Sequence, residues 1–391
     1  MTRKYIEFYR KSAGTLVVLM RVSLVSTCHE HFIVMSTAET FQKLGGKHSS
    51  ILNDLKSGFC GVPSASKGFR EDAFCSRLQH SSSPNIRSEG LALVGVLPGT
   101  GRILCGVAVL SAELFVVRNF SSVIDVYDVR TTLCPRRRHD IAGLRDPVDI
   151  AACPNQRALY VSGSNDRSVF RIDGSGQVLG RWLLDSRPFG ISVCGQSGTI
   201  CVTFLDEAMV KEFSPDGAEL RAIRLDADLL SNPWHAIALP LGGSRKGAVR
   251  AETVEEKGEE EDEEDSILLV CHGWTKDRLN SVSLVNGADG RVMSRYGGQR
   301  GSGSGFMDLP SHIHLECSRG DATRALVVDL NNSRILRLKV SELGVGGGGA
   351  ETVLSDSNGL KWPRSVAVDE DQGRMYVGLH EGQVLIFDCT R

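Results

Sequence analysis

"RDPVDIAACPNQRALYVSGSNDRSVFRID", residues 145–173, opens on a proline and then runs apolar strand, polar turn, strand, polar turn, strand. The pattern returns three more times: at 186–217 (SRPFGISVCGQSGTICVTFLDEAMVKEFSPDG), at 308–340 (DLPSHIHLECSRGDATRALVVDLNNSRILRLKV) and at 361–388 (KWPRSVAVDEDQGRMYVGLHEGQVLIFD). From the proline to the last apolar residue of the third run the four copies span 24 to 28 residues, a register that chance apolar runs do not hold. Proline suits the first residue of a strand, where its missing N–H costs no ladder bond. The runs are short, alternating and rich in β-branched residues, and no window keeps a 3.6-residue period, so the chain reads as all-β.

Two further copies complete the set. One begins at Pro233 and is interrupted between its first and second strands by residues 242–265, whose last fourteen residues carry ten carboxylates. Like-charge repulsion makes that insertion a solvated loop. The other, "ILCGVAVLSAELFVVRNFSSVIDVYDV" (103–129), lacks the proline. Between copies lies a fourth strand, such as "VLGRWLL" (178–184), but the last copy has none. "LALVGVL" (91–97) stands before the first copy with no partner of its own. The expectation is a six-bladed β-propeller over 91–391, closed by that N-terminal strand, because closure protects edges that would otherwise template aggregation. Residues 1–90 are predicted as a largely disordered extension.

Composition narrows function by exclusion. The 391 residues carry formal net charge −2, which gives no global pull toward nucleic acid or an anionic membrane. Eleven cysteines are scattered with no Cys-x-x-Cys pair, so no zinc module of that spacing is present, and free thiols in a cytoplasmic protein are expected. Residues 13–28 follow four basic residues and resemble a signal h-region, but Arg21 splits the run and no small-x-small cleavage site follows. If residues 1–28 did act as a signal, the protein would be secreted or membrane-anchored. There is no Gly-x-Ser-x-Gly elbow, and "GGQRGSGSG" (297–305) does not end as a phosphate loop does.

"YGGQRGSGSGFMDLPSHIHL" (296–315) and "LVVDLNNSRILRL" (326–338), with Asp329, Asn332, Arg334 and Ile335 in order, resemble the blade junction and second turn of NHL-repeat propellers. "PFGISV" (188–193) and "PRSVAVDEDQGRMYV" (363–377) resemble the opening of such a repeat. The resemblance is specific in the fifth copy and loose elsewhere: Ser162, Thr203 and Gly378 replace the aspartate. It implies the propeller end of RING/B-box ubiquitin ligases, here without a Cys/His zinc framework. On that reading the chain is a non-catalytic scaffold that needs no cofactor and binds a protein or peptide on one face. Loops on a rigid scaffold carry specificity, so the candidate binding residues are Asn165, Asp166, Arg167, Asp206, Glu207, Asn331, Asn332, Arg334, His380 and Glu381. RNA-binding members use a basic top surface. The counterparts here are Arg136, Arg137, Arg138, Arg145, Arg167 and Arg171, of which "PRRRHD" (135–140) is expected as a solvated inter-blade loop with no interleaved aromatics.

The alternative is a metal-dependent channel enzyme. The residues two after each proline are Asp149, Gly190, His235, His312 and Ser365. Asp149, His235 and His312 at one depth would make a His₂-carboxylate set for zinc, iron or calcium. Two six-bladed enzyme groups that resemble this architecture, the amidating lyases and the gluconolactonases, fit imperfectly. The lyase pattern puts histidine directly after proline, where this chain has Val148, Phe189, Trp234, Ser311 and Arg364. The gluconolactonases need a glutamate on the first inner strand, and "ILCGVAV" has no carboxylate. The metal alternative stands only if the three side chains converge within ligand reach.

Overall fold

The computed structural model describes residues 91–130, 135–195, 197–226, 228–230, 232–239, 266–273, 279–316, 323–344 and 349–389, with the strand backbones of three N-terminal segments. Those segments, Arg3–Arg10, Leu16–Ser23 and Glu30–Met35, pair in order as an antiparallel meander within a separate unit. The rest of the predicted extension and the acidic insertion 242–265 lie outside the described residues.

Six four-stranded antiparallel sheets follow. Blade 1 is Leu104–Leu110, Glu113–Arg118, Val123–Asp128 and Pro135–Asp140. Blade 2 is Pro147–Cys153, Ala158–Gly163, Ser168–Asp173 and Val178–Leu183. Blade 3 is Ile191–Val193, Ile200–Phe204, Met209–Phe213 and Glu219–Arg224. Blade 4 is Pro233–Ala238, Ile267–His272, Asn280–Asn286 and Val292–Gly298. Blade 5 is Pro310–Glu316, Arg324–Asp329, Arg334–Lys339 and Ala350–Leu354. Blade 6 is Pro363–Asp369, Arg374–Leu379 and Val384–Asp388, and its outer strand is Ala92–Leu97 from the beginning of the propeller. The first strand of every blade packs on the first strands of its two neighbours, and blade 6 meets blade 1, so the ring is closed.

Burial follows from that stacking. Second strands lie between two blades and are buried on both faces: Ala158–Gly163 and Ile200–Phe204 are buried at every position. Outer strands are half-solvated and keep apolar side chains such as Leu179 and Leu183 exposed. Cores form between blades, for example Phe115, Ile124, Leu159 and Phe170 between blades 1 and 2. Among the described residues no helix is long and apolar enough to cross a membrane.

Two local expectations change. "PRRRHD" is the outer strand of blade 1, paired to Val123–Asp128, and not an inter-blade loop. Two of its arginines are neutralised from the same sheet: Arg137 pairs with Glu113, and Arg138 reaches Asp125 at 3.0 Å. Blade 3 begins its first strand at Ile191, three residues after Pro188, although Phe189 N–H and Thr203 N–H still bond across to Thr203 and Gly190 carbonyls.

Candidate functional site

In each blade the first strand runs away from one face of the ring and the second returns to it. The turn between second and third strands and the crossing to the next blade therefore share that face. All ten predicted binding residues fall there, since each lies in such a turn or beside it.

Most of them are already engaged by the protein. Asp329, fully buried, accepts from Asp308 N–H at 2.8 Å, Asn332 Nδ2 at 2.8 Å and Arg334 Nε at 2.7 Å. Arg334 also donates to the Ser302 and Phe306 carbonyls, and Asn332 to that of Gly301. This network pins the glycine-rich crossing between blades 4 and 5. Asn331 bonds Asp308, Asn165 bonds Asp146, Asp166 accepts from Arg145 N–H, and Arg167 reaches the Asp185 carbonyl at 3.4 Å. Asp206, Glu207 and Glu381 are exposed. His380 is half-buried against Trp362, at 6.1 Å between ring centroids. The basic set is likewise paired: Arg171 to Asp216 at 2.6 Å and Arg145 to Asp166 at 3.9 Å. The side chain of Arg136 is outside the described residues.

The channel mouth on this same face is built differently. In blades 1, 2, 4, 5 and 6 the pairing of first and second strands skips one residue near the strand start. The skipped residues are Cys105, Val148, Trp234, Ser311 and Arg364. A bulge of this kind re-aims side chains, and here it lets neighbouring positions face one space. The skipped residues, with Phe189 of blade 3, line a cavity of about 10 Å³ together with Asp149, Gly190 and His312. That is about the room one water-sized sphere needs.

The next position around the ring is Gly106, Asp149, Gly190, His235, His312 and Ser365. The small residues make room for the large ones. A Cβ on Gly106 would stand 2.8 Å from Asp149 Oδ1, and one on Gly190 would stand 2.8 Å from His235 Cα. Asp149, His235 and His312 each offer an atom within 4.8 Å of the others, and all three are buried. Nε2 of His235 lies 3.5 Å from Asp149 Oδ2, and Nε2 of His312 lies 3.9 Å from Asp149 Oδ1. The two imidazole centroids are 4.3 Å apart. His314, two residues on, is half-buried and is not part of the cluster.

Hydrogen bonding within the cluster is incomplete. Asp149 accepts from Ile150 N–H at 2.9 Å and Ile191 N–H at 3.1 Å. His235 Nε2 donates to the Ile191 carbonyl at 3.2 Å, while its Nδ1 is buried without a partner. His312 Nδ1 is also buried without a partner, and its Nε2 is too far from Asp149 for a hydrogen bond. Burial sets the protonation. Loss of water pushes the Asp149 carboxyl up to about 7, against two backbone N–H bonds and the nearby Arg364 charge. The same loss of water pulls His235 down to about 4 and His312 well below the ordinary imidazole range, with His235 lowering His312 further. Cys105 is pushed up to about 12 by burial, which makes it a poor nucleophile.

The cluster fits a metal by its donor set and spacing. Ligands about 2.0–2.2 Å from one tetrahedral zinc stand about 3.4 Å apart, close to the two separations to Asp149. Two imidazoles disfavour calcium, which takes oxygen ligands. The depth of the set could be found in the sequence, by counting from each proline. The bulge could not, and with it the approach of Cys105 and Arg364 to Asp149 was hidden.

No protein-family model and no curated protein matches the chain. Solved structures do match it, two of them as follows. A nidogen/laminin complex is 14% identical, with TM-score 0.46 over 68% of this chain and 84% of the other. A catalytically inactive virginiamycin B lyase from Staphylococcus aureus with quinupristin is 11% identical, with TM-score 0.48 over 76% and 98%. No residue role is carried over from either.

Proposed function

We propose that this propeller is a metal-dependent channel protein, with Asp149, His235 and His312 holding one zinc-type ion just inside the face that carries the turns. The carrying observation is His312: an imidazole buried at 93%, with no hydrogen bond to either nitrogen from any described residue, facing a carboxylate 3.9 Å away. The nitrogen that faces Asp149 is Nε2, which can take a metal bond; the buried unpaired Nδ1 points to the other side of the ring and would not be satisfied by that ion. When bound, such an ion polarises a carbonyl or acidifies a water. The chain's part is to fix the ligands: the Ile150 and Ile191 N–H groups orient Asp149, and Gly106 and Gly190 leave it and His235 their space. To become a ligand through Nε2, neutral His235 must move its proton to Nδ1 and give up its bond to the Ile191 carbonyl, so any proton released on uptake comes from the Asp149 carboxyl.

Elemental analysis of the full chain after zinc loading and dialysis tests this. One equivalent is expected, falling to background in His312→Gln with an unchanged circular dichroism spectrum. Less than a tenth of an equivalent in the folded wild type would sink the reading.

A protein-binding scaffold is the second reading, favoured by Phe120, Phe306 and Trp362, which lie in turns or crossings of the same face and are 61%, 40% and 50% exposed. Large apolar side chains exposed on one face suit a partner, and an NHL-type role in ubiquitin-ligase recognition belongs with this reading. Six described cysteines are free thiols, in keeping with a cytoplasmic location. Pull-down with Trp362→Ala and Phe120→Ala beside the wild type separates the two, since zinc content should not change. The paired arginines give no support to an RNA surface.

A further inference from the structure

We infer that the seam between blades 6 and 1 binds a small, neutral, planar aromatic molecule bearing one hydrogen-bond acceptor. The site is on the face opposite the channel mouth and does not depend on the zinc-type ion.

The seam holds a cleft of about 200 Å³. A dry cavity of about 150 Å³ is enough for benzene. Leu97, Leu114, Tyr127, Tyr376 and Ile386 form its inner walls, and all five are buried. Val94, 50% exposed, and Arg130, also exposed, stand at its mouth. Asp128–Arg130 end the third strand of blade 1 and Arg374 begins the second strand of blade 6, which puts the cleft on that far face.

The seam between blades 2 and 3 shows what is missing here. Tyr160 pairs through Arg171 to Gly180 as Tyr376 pairs through Ile386 to Gly95. Two residues after those glycines, Trp182 and Leu97 are equivalent. Across each seam, Phe213 and Tyr127 pair just beyond the bulge of their outer strands. Between blades 2 and 3 the Trp182 indole fills the gap, 5.9 Å from Phe213 and 5.6 Å from Tyr160 between centroids. The Tyr160 hydroxyl donates to Gln156 Oε1 and reaches the Pro215 carbonyl at 3.3 Å.

Between blades 6 and 1 a leucine stands in place of the indole, and the tyrosine lacks both acceptors. The Tyr376 hydroxyl is buried without a hydrogen-bond partner. The carbonyl equivalent to that of Pro215 belongs to Val129, and Arg374 donates to it. Gln372, four residues before Tyr376 as Gln156 is before Tyr160, is exposed and makes no bond to the hydroxyl. Arg374 approaches the hydroxyl but has no acceptor to offer. The seam thus lacks one aromatic ring and one acceptor, and a ligand carrying both would do there what Trp182 and Gln156 do between blades 2 and 3. The charges favour a neutral one. Arg130 is paired with Asp128 at 3.3 Å, and Asp128 lines the cleft, so an anion would meet its carboxylate.

The test titrates the full chain, zinc-loaded and after chelator treatment, with acetophenone, ethylbenzene and benzoate by ligand-observed NMR. Acetophenone should bind equally with and without zinc, and ethylbenzene at least about five-fold more weakly, the worth of one hydrogen bond. Benzoate should bind more weakly than acetophenone. Leu97→Trp, which rebuilds the seam of blades 2 and 3, should lose acetophenone at least ten-fold with its melting temperature held or raised. Tyr376→Phe should bring acetophenone down to the level of ethylbenzene, and it decides the matter if Leu97→Trp fails to fold. No acetophenone binding, full binding by folded Leu97→Trp, or loss of binding on chelation would overturn the inference. If Tyr376→Phe keeps the preference over ethylbenzene, the acceptor assignment falls, and if benzoate matches acetophenone, the neutral one does. A melting temperature that rises with protein concentration in the wild type and not in Leu97→Trp would give the cleft to a second copy of the chain, against a small molecule.

Discussion

Blade 5's turn and the channel mouth each bury a carboxylate, and they bury it in opposite ways. Asp329 has a donor for each of its demands: one backbone N–H, one amide and one guanidinium, all within 2.8 Å. Asp149 has two backbone N–H groups and two histidines that approach without bonding it, at 3.5 and 3.9 Å. A closed network of buried polar groups holds structure, and an open one marks where something else binds. The residues most like a family signature, Asp329, Asn332 and Arg334, are thus the ones the fold has consumed.

The largest effect should come from breaking the closed network. Asp329→Ala removes the acceptor of Arg334 Nε, of one Asn332 bond and of the Asp308 N–H, while the bonds of Arg334 and Asn332 to the Ser302, Phe306 and Gly301 carbonyls remain. Removing one member of a buried ion pair costs about 3–5 kcal/mol, read as a lower urea midpoint. Zinc content below that midpoint should be unchanged. If it falls with stability intact, the two regions are coupled and the contrast fails.

Acid should separate them next. Burial lowers His235, His314 and His380 to about 4, His272 to about 3, and His312 well below the ordinary range. Folded values below the unfolded value of about 6.5 mean the unfolded chain binds more protons, so their contribution is full above 6.5 and is lost as pH falls toward 4. The steepest loss is about 1.4 kcal/mol per pH unit for each such histidine. Asp149 acts with the opposite sign: raised to about 7, it takes up a proton in the fold before the unfolded chain does, so its contribution falls as pH rises from about 4 to 7. Urea midpoints should therefore drop from pH 6.5 to 5, less steeply in His312→Gln. A flat profile would mean that these rings are solvated.

Asp149→Asn should cost little stability and much metal. It loses an acceptor for one of two N–H groups, about 1 kcal/mol, and removes a carboxyl whose charged form burial disfavours. Zinc affinity should fall at least about 100-fold, equivalent to about 2.7 kcal/mol. Unchanged affinity by competition with a chromophoric chelator would show that Asp149 is a structural carboxylate like Asp329.

The ring was legible in the sequence because proline spacing, turn chemistry and period-2 alternation all encode strand packing, and each repeats. The closing strand was legible from one unpaired run at 91–97, which pairs with Val384–Asp388. The depth of Asp149, His235 and His312 was legible for the same reason: they share an offset from their prolines. Two things were not. "PRRRHD" reads as loop by composition, but tertiary pairing with Glu113 and Asp125 makes it a strand. The bulge is a pairing shift of one residue, set by how two strands meet, and it leaves no mark in either strand alone.

The last contrast is the most specific. Gly106 faces Asp149 with no room for a methyl group: its Cβ would lie 2.8 Å from Oδ1 and 2.9 Å from Ile150 N. Gly180, in the outer strand of blade 2, would meet only Trp182 Nε1 at 3.8 Å. Neither glycine has a positive φ, so Gly→Ala at both removes the same backbone freedom and differs in the space alone. Gly180→Ala should be neutral or slightly stabilising, by up to about 1 kcal/mol. Gly106→Ala should cost about 1–3 kcal/mol through overpacking and push Asp149 away from His235 and His312, lowering zinc affinity with it. If Gly106→Ala destabilises and keeps wild-type zinc affinity, the gap beside Asp149 serves blade packing, and the position of the carboxylate does not depend on it.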